Sequence, residues 1–442
     1  NNTTGEENTM VGWETGKLTK TGSRNVYMGY RAGEQGDDAS ENTIMGYWSG
    51  HLNKADHNTF VGYQAGYENT TGTPNTFIGY KAGQNNVTGF DNVAVGDSAL
   101  MNNNVILGSW FNGYGNTAVG SKSLYLNQTG YSNTAIGKHA LRKNISGYQN
   151  TAVGDNSLLE NTIGFYNTAV GGFSLQKNTT GQENTAHGHN ALSNNTTGDN
   201  NTAVGRLSLY LNTAGSSNTA TGFRSGVNNT TGNYNTLIGN TAGESNTVGS
   251  QNVAVGHQAL QRNSSGNLNV AVGTNALQSN TLGNDNTAVG QEALRYNVDG
   301  INNSGLGRYS LFSNANGDNN TAIGHQAAYT TNASDNTTVG YSSLLKNVSG
   351  ARNTALGRDA GFENLANNNV FLGFEAGRLN TTGTPNTFLG YRAGYSNTTG
   401  SQNTFLGYET GGLAPTLTNA SAIGYNAKVG ASDAMVLGAT GV

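Results

Sequence analysis

The chain has 442 residues, 34% apolar and 11% charged, with 65 Gly, 3 Pro, no Cys and a net charge of −4. The lack of Cys excludes disulfides and thiolate metal sites, and scattered Lys and Arg without a basic stripe exclude a nucleic-acid surface. No run of about 20 apolar residues is present to insert in a membrane as a helix.

The first residues, Asn1-Asn2-Thr3-Thr4-Gly5, stand in mid-repeat, so the chain reads as a segment of something longer. A pentad then recurs, as in Asn116-Thr117-Ala118-Val119-Gly120, Asn133-Thr134-Ala135-Ile136-Gly137 and Asn150-Thr151-Ala152-Val153-Gly154. Its Gly runs through 27 positions from Gly12 to Gly438, mostly 17 residues apart. A fixed period of this size predicts a solenoid, in which each coil packs only on its neighbours. Short β-rich runs bounded by Gly and Asn predict two short strands per coil, joined by two turns. The expected fold is all-β, a parallel β-solenoid of 27 coils. At the usual spacing between paired strands, about 4.8 Å, that is a rod of roughly 130 Å.

Around residues 96–120 the glycines Gly96, Gly108 and Gly120 lie 12 apart, which predicts two shortened coils lacking the outer Asn-Thr-Thr-Gly turn. Where that turn is present, its Gly (Gly130, Gly181, Gly198, Gly232, Gly383) is expected to supply a positive φ. Residues 1–412 form the repetitive shaft, and residues 413–442 form terminal coils with a 14-residue step, leading to a missing C-terminal region.

Two positions trade volume. Let c be the third residue of the pentad and f the fourth after its Gly. Repeats with Leu at f (Leu100, Leu124, Leu141 and nine more) all have a small c, usually Ala. Repeats with Gly at f have a large c at Met10, Tyr27, Ile44, Phe60, Phe77, Leu237, Phe371, Phe388 and Phe405, with Ala220 and Ala355 as exceptions. The trade predicts that c and f share one interior pocket, since voids and overpacking each cost about 1–5 kcal/mol. Strand alternation then turns the second residue (b, Thr) and the fourth (d, Val, Ile or Leu) to the other face. The recurring Asn116, Val119, Gly120, Asn133, Ile136, Gly137, Asn150, Val153 and Gly154 are read as a structural ladder. A d stripe on that face needs a cover, and further copies of the chain around a long axis are the expected one.

The closing residues read Ala422-Ile423-Gly424-Tyr425-Asn426-Ala427-Lys428-Val429-Gly430, then Ala434-Met435-Val436-Leu437-Gly438. They resemble the head repeats of trimeric autotransporter adhesins, and the 17-residue units resemble shaft repeats of tail-fibre-like surface proteins that carry an endosialidase-type chaperone. The resemblance implies a left-handed β-roll, a homotrimer, and an extracellular place on a cell surface or a virion tail.

Catalytic chemistry is thin. His187 and His189 lie two apart without a third ligand, so no metal is expected, and no cofactor or catalytic set stands out. Trp110, Phe111 and Trp48 are the candidate binding aromatics. Tyr30, Tyr47, Tyr63 and Tyr80 follow the repeat Gly, either covering neighbouring coils or offered to a sugar. Sequons at Asn69, Asn178, Asn195, Asn229, Asn380 and Asn397 follow from the turn composition. The expected function is a non-enzymatic adhesin or fibre shaft supporting attachment, with a surface glycan or host receptor as outside partner. The alternatives are an ice-binding solenoid, a self-polymerising filament subunit, and a phage tail-spike that degrades polysaccharide.

Overall fold

A computed structural model describes residues 2–103 and 113–439. Among the described residues every regular element is a short β-strand, and no helix is present. The chain divides into two compact units, Asn1–Phe223 and Arg224–Val442. Each unit is a parallel β-solenoid, with about 25 turns in all.

In the first unit, β1 (Thr9–Val11) pairs in parallel with β2 (Val26–Met28), and the pattern continues strand by strand. Register follows the sequence period, so that Thr134, Ala135 and Ile136 face Thr151, Ala152 and Val153. The second unit repeats the arrangement from Thr236–Ile238 to Met435–Leu437.

Most coils hold one strand rather than the expected two. After the pentad Gly the backbone alternates in φ sign, with His139 at +60° and Leu141 at +50° in one coil. Left-handed residues at every second position prevent an extended strand. Two tight turns form instead, closed by Ala140 N–H on Gly137 O and Asn144 N–H on Leu141 O. The same stretch still bonds to the neighbouring coils, for example Leu141 N–H to Ser157 O at 3.0 Å. Among the described residues a second strand per coil appears only near the end, where Gly411–Gly412 pairs with Lys428–Val429. There the residue at f, Gly411, is not left-handed, whereas Gly394 one coil earlier is, at φ +62°.

The c and f side chains share the interior, as their volume trade predicts. Ala118, Leu124, Phe60 and Phe77 are fully buried. A Cβ on Gly83 would lie 2.5 Å from the Phe77 ring, and one on Gly243 would lie 2.6 Å from Leu237. The exception at Ala355 is filled from both sides, because its partner Gly361 lies against Phe371 of the next coil and Leu344 of the previous one.

Two buried Asn ladders close most coils, the corner one being interrupted at Thr19, Gly36 and Thr331. The corner Asn144 donates through Nδ2 to Asn127 Oδ1 and to Gly147 O, both at 2.8 Å, and accepts from Asn161 Nδ2 at 2.9 Å. The pentad Asn150 donates its N–H to Asn133 Oδ1 at 3.0 Å and its Nδ2 to Gly164 O at 2.9 Å. These bonds explain the excess of Asn: its side chain both donates and accepts, so rungs can pass along the stack without a gap.

Glycine has two separate duties. The pentad Gly137 has φ +133°, and a Cβ there would lie 2.5 Å from Gly154 O. The corner glycines differ from expectation: Gly130, Gly181, Gly198, Gly232 and Gly383 do not have positive φ. They are small because a Cβ on Gly130 would lie 2.4 Å from Asn127 Oδ1, Asn144 Nδ2 and Gly147 O alike. The left-handed residue falls two places later, as at Ser132 and Glu183.

The two shortened coils between Gly96 and Gly120 are also corrected. The strand Asn92–Val95 pairs directly with Thr117–Val119, Val93 facing Thr117, so no rung stands between them. Asn103 takes the corner place by donating to Asn86 Oδ1 and to Gly113 O. Asn103 and Gly113 are ten positions apart, whereas Asn86 and its Gly89 are three apart. The coil is therefore lengthened at its corner. Deletions fall in the same place: Asn53 and Asn364 reach Ala55 O and Ala366 O, two positions on.

Candidate interaction surface

Strand alternation sets the first outward face. With c buried, b and d point away from the interior. Thr134 is half-buried, while Ile136 keeps 41% of its surface exposed and Leu306 keeps 49%. Val119 and Val153 occupy the same stripe, which runs along the strands of each unit. His187 and Thr221 interrupt it in the first unit. His187 is exposed, and His189 contacts Asn190 Nδ2 at 3.0 Å. Among the described residues no three His, Asp or Glu side chains converge to hold a metal.

The turn side carries aromatic columns. A residue directly after the pentad Gly repeats once per coil, so successive rings stack. Tyr30, Tyr47, Tyr63 and Tyr80 stack at 4.9, 5.4 and 5.3 Å between ring centroids, with planes within 12°. In the second unit Phe374, Tyr391, Tyr408 and Tyr425 stack at 5.2, 5.0 and 5.2 Å. The Arg358 guanidinium lies 5.6 Å from the Tyr341 ring and 5.7 Å from Phe374, bridging a coil that lacks an aromatic there. The rings do cover their neighbours, and they also keep exposed edges. The carboxylate of Glu409 beside Tyr408, together with burial and the flanking tyrosines, raises that phenol above the ordinary value.

A further column had not been singled out from the sequence. Phe90, Tyr114, Tyr131, Tyr148 and Phe165 each follow a corner Gly and stack at 4.8–5.1 Å. The signal was present as an aromatic in the same corner place of five successive coils.

Trp48 is half-buried in the left-handed region at φ +54°. Its ring packs on Tyr47 at 5.2 Å and Tyr67 at 5.9 Å, and its buried Nε1 has no hydrogen-bond partner. It is thus part of the packing between coils. Trp110 and Phe111 lie outside the described residues.

Charged side chains form clips across coils. Glu14 meets Lys17 at 2.8 Å and Arg31 at 2.7 Å, and Glu34 meets His51 at 3.1 Å. The hydrogen bond from Lys17 leads in lowering the Glu14 carboxyl below its ordinary value, while burial lowers the His51 imidazole. A hollow of about 250 Å³ lies among Arg392, Tyr395, Ser396, Glu409, Thr410 and Lys428. Arg392 there is held by Glu375 at 2.6 Å. Lys428 donates to the Glu409 carbonyl.

The sequon asparagines are rungs of the corner ladder. Asn69, Asn178, Asn195, Asn229, Asn380 and Asn397 are buried to within 4%. Asn195 Nδ2 already serves Asn178 Oδ1 and Gly198 O. A glycan on that nitrogen is incompatible with the folded coil.

Compared with protein-family models and with the curated proteins, the chain gives no match.

Proposed function

We propose that the chain is the shaft of an extracellular fibre or adhesin, without catalytic activity, in which three copies associate through their strand faces. The observation that carries this reading is the outward stripe of Val, Ile and Leu at d. Side chains such as Ile136, Ile323 and Leu389 remain about two-fifths exposed, coil after coil. Monomeric proteins rarely leave contiguous apolar patches beyond a few hundred Å² uncovered. A repeating stripe is self-complementary in register, so identical copies around one axis cover it with the fewest new features. The proposed assembly is a homotrimer of left-handed coils. It sits on a cell surface or virion tail and holds a glycan- or receptor-binding part away from its base.

Light scattering on the native protein tests the reading. A mass near three times 45.9 kDa is expected. A stable monomer would overturn it and favour the ice-binding reading. One feature supports that second reading, the regular row of half-exposed Thr at b beside the d stripe. Thermal hysteresis of the monomer then becomes the decisive measurement.

A further inference from the structure

The tyrosine columns place identical phenols against one another on successive coils. Tyr30, Tyr47, Tyr63 and Tyr80 are parallel to within 12° and about one coil spacing apart. Tyr47, Tyr63 and Tyr80 keep 44, 40 and 51% of their surface exposed. The backbone holds the column in register, because Trp48 N–H bonds to Tyr30 O and Gln64 N–H to Tyr47 O. No buried ladder uses these hydroxyls, and neither the clips nor the proposed strand interface requires them. Tyr391, Tyr408 and Tyr425 repeat the arrangement in the second unit.

We propose that these columns are sites of oxidative cross-linking, in which neighbouring tyrosines of one chain join as dityrosine under a peroxide and a haem peroxidase. Each of two phenols loses one electron and its hydroxyl proton to become a phenoxyl radical. The radicals couple through ring carbons ortho to oxygen, forming one C–C bond. The ortho hydrogens then move to the oxygens as both rings regain aromaticity. The two electrons and two protons released convert one hydrogen peroxide to two waters. Stacking supplies what this coupling lacks in solution, a second phenol already in contact when the first radical forms. Each link would replace a hydrogen-bonded step between coils with a covalent one. Because both partners belong to one chain, the inference does not depend on the oligomeric state proposed above.

The test is to treat the intact folded protein with hydrogen peroxide and a haem peroxidase, then map dityrosine by fluorescence and peptide mass spectrometry. Expected are linked peptides joining tyrosines one coil apart within a column, each lighter by two hydrogens than its parts. Tyr47→Phe combined with Tyr63→Phe should keep the stack, since Phe374 fills the same place in another coil. It should abolish the links of the first column while those among Tyr391, Tyr408 and Tyr425 persist. The proposal is overturned if no dityrosine forms, or if links join different chains only. It also fails if Tyr234, 65% exposed and outside the columns, reacts as readily. Equal yield of the same links in urea would show that folding contributes nothing and would sink it too.

Discussion

Coils of two kinds share one backbone. From Met10 to Phe77 in the first unit a large residue at c faces Gly at f; from Ala94 to Ala203 a small c faces Leu. Both kinds hold f in the left-handed region, Gly83 at φ +57° and Leu124 at +48°. Glycine adopts that conformation at no steric cost, whereas Leu pays about 1–2 kcal/mol there. Full burial of Leu returns about 1.5–3 kcal/mol, enough to hold it in place. The interior therefore fixes total volume and leaves open which side supplies it.

Moving volume across that divide is the strongest way to break the comparison. Gly83→Leu would drive a Cβ to within 2.5 Å of the Phe77 ring. It should destabilise by about 3 kcal/mol or more, read from the urea midpoint. Adding Phe77→Ala converts the coil to the other kind and should recover most of the loss, which requires a coupling above the usual range of about 0.5–3 kcal/mol, since Phe→Ala alone costs about 3–5 kcal/mol. Simple additivity of the two substitutions would refute the shared pocket. In the opposite kind of coil, Leu124→Gly opens a cavity and should cost about 3 kcal/mol, partly restored by Ala118→Phe in the same assay.

The corner ladder should be indifferent to coil kind. Asn144→Ala leaves Asn127 Oδ1, Gly147 O and Asn161 Nδ2 each short of a bond. Asn69→Ala does the same to Asn53, Gly72 and Asn86 in a large-c coil. Each should cost about 2–3 kcal/mol, and a large difference between them in thermal unfolding would show that the ladder and the pocket are coupled.

The smallest effect concerns the one large c residue with a hydroxyl. Tyr27 is fully buried and its hydroxyl has no hydrogen-bond partner. Burial pushes that phenol well above its ordinary value of 10. The unfolded chain then loses its proton first, so stability should fall as pH rises above about 10. Tyr27→Phe should remove this group's share of the alkaline loss and stabilise by about 1 kcal/mol at neutral pH. Denaturation midpoints at neutral and alkaline pH check both effects.

Much of this arrangement was legible in the sequence because repeats act as internal comparisons. The pairing of Phe77 with Gly83 and of Ala118 with Leu124 located the interior. Alternation then placed Thr134 and Ile136 outward. The backbone of the turn side was not legible, since nothing in the residue type of Leu141 announces φ +50°; the setting imposes it. Gly130 misled for the opposite reason, its small size being required by Asn127 and Gly147 rather than by φ. The spacing at Gly108 misled, because the described strand Asn92–Val95 pairs directly with Thr117–Val119. The candidate site was less legible, since Phe90 and Tyr114 stack although they stand 24 positions apart rather than 17.

From Asn69 to Asn195 and from Asn246 to Asn297 each corner Asn hands its amide to the rung before and takes one from the rung after, so within those runs the joining rule is the same at every step. A genetic duplication or loss of whole 17-codon units within such a run leaves every rung matched. Changes of other lengths persist where they fall beside a corner Asn, as at Asn53, Asn364 and Asn103. Copy number is thereby released to recombination between near-identical stretches of gene, and related strains should differ in protein length by whole coils sooner than in the identity of any rung.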